Sequence, residues 1–180
     1  MLFFTADTHF GHRNILKHCA TTRGHFSSIQ EHNEWLIKSW NETVSKSDVV
    51  YHLGDFGFGS KEYLDAIIRQ LNGVKVLIRG NHDKSIRGEL IKRFSTITDY
   101  HTISVKDQEM NCTQKIVLCH FPFETWDHQH HGAWHLHGHS HGNLKTSIMG
   151  RLDVGVDSHD FKPLSYQDVK TILTQRFLAQ

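Results

Sequence analysis

Five short apolar runs in this sequence each stop at a turn built from Gly, Asp, Asn and His. "MLFFTA" runs into Asp7-Thr8-His9, and "VVYHL" (Val49 to Leu53) into Gly54-Asp55. "VKVLIR" (Val74 to Arg79) runs into Gly80-Asn81-His82-Asp83. "KIVLC" runs into His120, and "WHL" into "GHSH", which carries His139 and His141. Short apolar runs bounded by turn signals read as buried strands. In an α/β sheet, side chains at the carboxyl ends of neighbouring strands converge on one crevice. Five pieces far apart in sequence can therefore share one site.

Helical patterns separate the first three runs. From Ser28, "SIQEHNEWLIKSWNETV" places Ile29, Leu36, Trp40 and Val44 on one face, and Ser28 and Glu31 have capping-box spacing. Residues 61 to 71 repeat the pattern through Leu64, Ile67, Ile68 and Leu71, and Asn72-Gly73 stops it. A short helix is expected over Ile86 to Phe94. The chain then turns β-rich. "HTISVKDQEMNCTQKIVLCH" reads as a hairpin, "GAWHLHGHSHG" as a strand entering a turn, and "RLDVGVD" as a last short strand. Ser165 and Asp168 have capping-box spacing before a final helix containing Val169, Ile172 and Leu173. With no linker or repeat between them, residues 1 to 180 read as one domain.

Composition removes several classes of function. The 20 Lys plus Arg nearly balance the 19 Asp plus Glu, so a general nucleic-acid scaffold is not indicated and no stable nucleic-acid complex is expected. Asp7 interrupts the apolar start too early for a signal peptide, and no run reaches the ~18 apolar residues of a membrane helix. Three cysteines, without a C-x-x-C, argue against a disulfide framework. The expectation is a cytoplasmic protein with no membrane partner; its oligomeric state is not readable.

The five turns hold two carboxylates, one amide and four imidazoles: Asp7, Asp55, Asn81, His9, His120, His139 and His141. This mixed oxygen and nitrogen set suits Mn, Fe, Co, Ni or Zn better than Ca or Mg. Seven donors exceed one tetrahedral site and fit two divalent ions sharing a carboxylate. Such a pair forms a clamp for in-line displacement at phosphorus. Each motif alone has a bland reading as a turn or a solvated strand face. The ordered set is what points to a metal site.

That order, Asp-x-His, Gly-Asp, Gly-Asn-His-Asp, a lone His, then Gly-His-x-His, resembles the calcineurin-like metallophosphoesterase superfamily from Asp7 to His141. "FTADTHFGHRNI" and "YHLGDFGFG" look like its small bacterial and phage branch. The resemblance implies an α-β-β-α sandwich, two mixed β-sheets flanked by helices. It implies one metal held by Asp7, His9, Asp55 and His141, and a second held by Asp55, Asn81, His120 and His139, with Mn favoured. It makes His82 catalytic, with Asp83 orienting it. Arg13 and His12, just past the first ligands, are candidate phosphate contacts. His135 reads as a strand histidine, and His137 as a candidate partner of a ligand.

The function so implied is hydrolysis of a phosphoester by water made acidic at the two ions, with His82 donating a proton to the leaving oxygen or contacting a phosphoryl oxygen. A compact chain without a cap favours a phosphodiester or nucleotide substrate. The alternatives are a phosphomonoesterase, a nuclease acting on single strands or ends, and a non-catalytic scaffold. A scaffold is expected to have lost ligands, and none is lost here.

Overall fold

The computed structural model describes residues 1–109, 111–145 and 147–178. In chain order the elements are β1 (Leu2–Thr5), α1 (Ile15–His18), α2 (Ala20–Arg23), α3 (Ile29–Thr43), β2 (Val49–His52), α4 (Lys61–Gln70) and β3 (Val74–Ile78). Then come β4 (Thr96–Thr98), β5 (Tyr100–Asp107), β6 (Cys112–Cys119), β7 (Trp134–His137), β8 (Arg151–Asp153), β9 (Leu164–Ser165) and α5 (Tyr166–Leu178).

Among the described residues these strands form two mixed sheets flanked by helices. One has five strands in the order β4-β3-β2-β1-β9, and the other four in the order β5-β6-β7-β8. β1 to β4 run parallel, with β9 antiparallel at the edge. β5 and β6 form the expected antiparallel hairpin, and β7 and β8 follow parallel to β6.

Side-chain alternation explains the layering. Phe3, Val50 and Leu77 pack against Leu36 and Trp40 of α3 and Leu64 and Ile68 of α4. Their neighbours Phe4, Val76 and Ile78 join Ile116, Leu118, Leu136 and Leu152 of the second sheet in one apolar core. Helices thus cover the outer face of the five-stranded sheet, and Val169 and Leu173 of α5 complete the core between the sheets. On the outer face of the four-stranded sheet Val117 packs with Trp126 and Ala133, so the 121–133 loop covers that side.

The start signals act as the spacing requires. Ser28 Oγ accepts from Glu31 N at the head of α3, and Ser165 and Asp168 exchange bonds before α5. The helix expected over Ile86 to Phe94 is instead two short 3-10 turns, Asp83–Ser85 and Gly88–Arg93. Ile86, Leu90 and Phe94 have helical spacing and are buried, but Gly88 takes a left-handed φ of 60° that breaks the helix between them.

Candidate metal centre

Parallel pairing of β1, β2 and β3, and of β6, β7 and β8, brings the five polar turns to one end of both sheets. The turns are stitched by backbone bonds: Asp7 N to Gly54 O at 2.9 Å, His9 N to Asp55 O at 3.0 Å and Gly138 N to His120 O at 3.0 Å. Space is tight where they meet. A Cβ on Gly54 would lie 2.5 Å from Gly80 N, and one on Gly138 2.6 Å from the Ala6 Cβ. Gly54 also has φ +91°. Gly54→Ala therefore meets both a clash and a left-handed backbone. It is expected to lower unfolding free energy by about 1–3 kcal/mol in a urea titration.

The structure brings all seven proposed donors together. One oxygen, Asp55 Oδ2, lies 3.6 Å from His9 Nε2 and 3.6 Å from His120 Nε2. Asn81 Oδ1 is 3.1 Å from His120 Nε2, and the His120 and His139 rings are 5.1 Å apart. Asp7, His9 and His141 form one group with metal-ligand spacing, and Asp7, Asp55 and His120 a second. Asp7, His9, Asp55 and His120 form a buried floor, His141 is half-buried, and Asn81 and His139 are exposed at the rim.

Backbone strain concentrates here. Asp7, His9, Asp55, His139 and His141 are five of the nine non-glycine residues with left-handed φ among the described residues. Such conformations cost about 1–3 kcal/mol each and persist where the surroundings impose them.

Tautomers can be assigned from the partners. His120 Nδ1 is 2.7 Å from Leu53 O, and a carbonyl can only accept, so Nδ1 carries the hydrogen and Nε2 faces the cluster with its lone pair. His141 Nδ1 is 2.7 Å from Asp157 Oδ2, so it donates there. Carboxylate- or carbonyl-anchored imidazoles are the usual form of histidine ligands.

The donors fit metal ions on a structural ground. Asp7 Oδ1 and both ring nitrogens of His9 are buried without a hydrogen-bond partner among the described residues. Burial is costly for such atoms unless something satisfies them. Burial raises the Asp7 carboxyl well above its usual range, and the charges of Asp153 and Asp55 add to the rise. Burial lowers His9 and His120, which holds them as neutral imidazoles, the ligand form; Arg23 adds to the effect at His9. A cation placed among these groups would offset the repulsion between the carboxylates.

The remaining predicted residues are placed as follows. His82 is exposed, its backbone N–H donates to Asp55 Oδ1 at 2.9 Å, and its ring lies 5.2 Å from Phe58. Asp83 makes different bonds from those expected of a group orienting the His82 ring. Its buried carboxylate accepts from the backbone N–H of Asp55, Phe56 and Gly80, so it pins the second turn to the third. His12 stacks on Phe58 at 4.2 Å beside His9, whereas Arg13 is exposed and makes no described side-chain contact. His135 and His137 share the outward face of β7. His135 Nε2 accepts from Phe123 N at 3.0 Å, and His137 Nδ1 donates to Gly138 O at 2.8 Å, not to a donor of the cluster.

Sequence reasoning missed Asp157 and Arg23. Asp157 accepts from His141 and from Thr22, and its carboxylate pairs with the fully buried Arg23. Arg23 also donates to Asp7 O at 2.6 Å. The Asp157 side chain is buried, yet Arg23, His141 and Thr22 hold its carboxyl well below the usual carboxylate range. Its signal was the rule that found the other turns, since it follows β8 as a sixth polar turn at a strand end.

No family model matches the sequence. The chain is 33% identical to the uncharacterized protein MJ1445 of Methanocaldococcus jannaschii over 172 residues, 91% of this chain and 86% of that protein. It belongs to the family of that protein. The gene 66 protein of Mycobacterium phage D29 is 30% identical over 188 residues, 91% of this chain and 92% of that protein. A protein of unknown function from Aquifex aeolicus superposes at TM-score 0.75 with 27% identity, over 96% of this chain and 98% of that one.

Proposed function

We propose that the chain is a two-metal phosphoester hydrolase of the calcineurin-like kind, acting by preference on phosphodiesters that carry a nucleotide. The observation that carries this reading is the set of buried, unpartnered donor atoms on Asp7 and His9, beside Asp55 Oδ2, which stands equally far from His9 and His120. Asp7, His9, Asp55 and His141 would hold one ion, and Asp55, Asn81, His120 and His139 the other. When bound, the pair supplies positive charge for phosphoryl oxygens and lowers the pKa of water toward ~7. Asp157 fixes the tautomer of His141, Leu53 O fixes that of His120, and Asp83 holds the turns that carry Asp55 and Asn81. The exposed His82 ring stands at the rim, where it can pass a proton to a departing oxygen. Three free cysteines, one of them buried, support a reducing compartment such as the cytoplasm.

Purified protein loaded with Mn is expected to carry two ions per chain and to hydrolyse bis-p-nitrophenyl phosphate. Elemental analysis beside a screen with p-nitrophenyl phosphate, cyclic nucleotides and short single-stranded DNA checks both. A persistent stoichiometry of one or none overturns the two-metal reading, and fast cleavage of the monoester alone overturns the diester preference.

A further inference from the structure

We propose that the cavity beside the second metal position is a nucleobase subsite, in which an exposed aromatic pair, Tyr100 and Phe121, stacks the base of a nucleotide ester. This rests on the phosphoester reading and names the substrate class for the same site.

The cavity measures about 480 Å³ and is lined by Arg79, Asn81, Lys84, Tyr100, Phe121 and Phe123, among others. It abuts the centre directly, since Asn81 lies in both and the Phe121 ring packs edge-on against His120 at 5.0 Å and His139 at 4.9 Å. A group bonded to a phosphorus atom held at the ions therefore enters it without crossing the fold.

Tyr100 and Phe121 are each 43% exposed. Singly exposed apolar residues are common on protein surfaces, but here two open aromatic faces line one cavity beside a polar site, where they can take up an apolar group. Tyr100 also packs against a neighbouring ring, stacking on Phe123 at 6.3 Å, and Phe123 stacks on His135 at 4.9 Å with planes 13° apart. His135 is anchored at both nitrogens, with Nδ1 3.2 Å from Val117 O and Nε2 accepting from Phe123 N. The otherwise unexplained His135 of the alternating stretch thus fixes the loop that presents the aromatic wall.

The polar rim favours a base over a plain apolar group. Lys84 and Asp99 are exposed at the cavity edge, and Arg79 is half-buried there with one guanidinium nitrogen on Ile86 O. A donor and an acceptor at the edge of a stacking face match the mixed edges of a nucleobase. An aliphatic group would leave them unused.

The test compares three diesters with one leaving group: the p-nitrophenyl esters of thymidine 5'-phosphate, of methyl phosphate and of cyclohexylmethyl phosphate. Mn-loaded protein is expected to favour the thymidine ester in kcat/KM. Phe121→Ala and Tyr100→Ala are each expected to lower that preference about tenfold, the scale of one base–aromatic contact, while Tyr100→Phe retains it. Because Phe121 touches proposed ligands, metal content is measured alongside; Tyr100 touches none. Calorimetric titration with thymidine 5'-phosphate gives a readout independent of turnover, and Tyr100→Ala should weaken this binding about tenfold. Equal rates on the thymidine and cyclohexylmethyl esters, or a preference and affinity untouched by Tyr100→Ala, overturn the base subsite. Failure of the wild type to cleave any ester overturns the hydrolase reading instead. The subsite then stands on the titration, and absence of thymidine 5'-phosphate binding overturns it too.

Discussion

Asp55→Ala is expected to lose both metal ions together, to lose the thermal stabilisation that Mn confers, and to lose turnover by more than about 10²-fold. The last figure is the scale on which disturbing even the outer partners of a metal ligand is felt. The reason is geometric: Asp55 Oδ2 is equidistant from His9 and His120, one from each proposed ligand set. A ligand present at one hundred times its Kd stabilises a fold by about 2.7 kcal/mol, so the Mn-induced rise in Tm is readily measured. The metal-free variant should melt close to the metal-free wild type. Removing the Asp55 carboxylate costs the bond from His82 N, but it also relieves the repulsion between Asp55 and the buried Asp7. His141→Ala and His120→Ala should each remove one ion. Differential scanning fluorimetry with and without Mn, beside elemental analysis, separates these outcomes. If Asp55→Ala keeps two ions and a normal Mn-dependent shift, Asp55 is not the shared donor.

The five turns were legible because parallel strands impose a direction. Once "VVYHL" and "VKVLIR" read as neighbouring strands, Asp55 and Asn81 had to lie at the same end, and pairing of β1, β2 and β3 places them there. The alternation in "WHLHGHSHG" was less simple than its period. His135 and His137 belong to β7 and face outward, while His139 and His141 follow the strand with left-handed backbones. A period of two therefore spans two different structures, one strand face and one strained turn. Asp157 obeyed the strand-end rule and was passed over, but Arg23 was not legible, because its partnership with Asp157 spans 134 positions and it sits in α2, a single turn too short to show a helical period. β4 is three residues long and gains its identity only by pairing with β3. The bonds of Asp83 were hidden for a related reason. The resemblance gave it a role beside His82, and the three N–H groups it accepts from converge only when the turns after β2 and β3 fold together.

The position of His82 leads to a result that distinguishes proton transfer from binding. Its ring is exposed beside Phe58, and only its backbone N–H is bonded to the cluster, through Asp55 Oδ1. Truncating the side chain leaves that backbone bond in place. His82→Ala is therefore expected to bind two Mn ions, to melt within a few degrees of the wild type and to turn over about 10²–10⁴-fold more slowly on esters with poor leaving groups. A nitrophenolate departs without needing a proton, so on p-nitrophenyl esters the deficit should shrink. The measurement is kcat for the variant and wild type on a p-nitrophenyl diester and on a dinucleoside or alkyl diester. A large deficit on the alkyl ester with a small one on the nitrophenyl ester identifies His82 as the proton donor. Equal deficits on both would assign it to holding a phosphoryl oxygen, since that contact matters whatever group departs. Loss of one ion would instead make it a ligand.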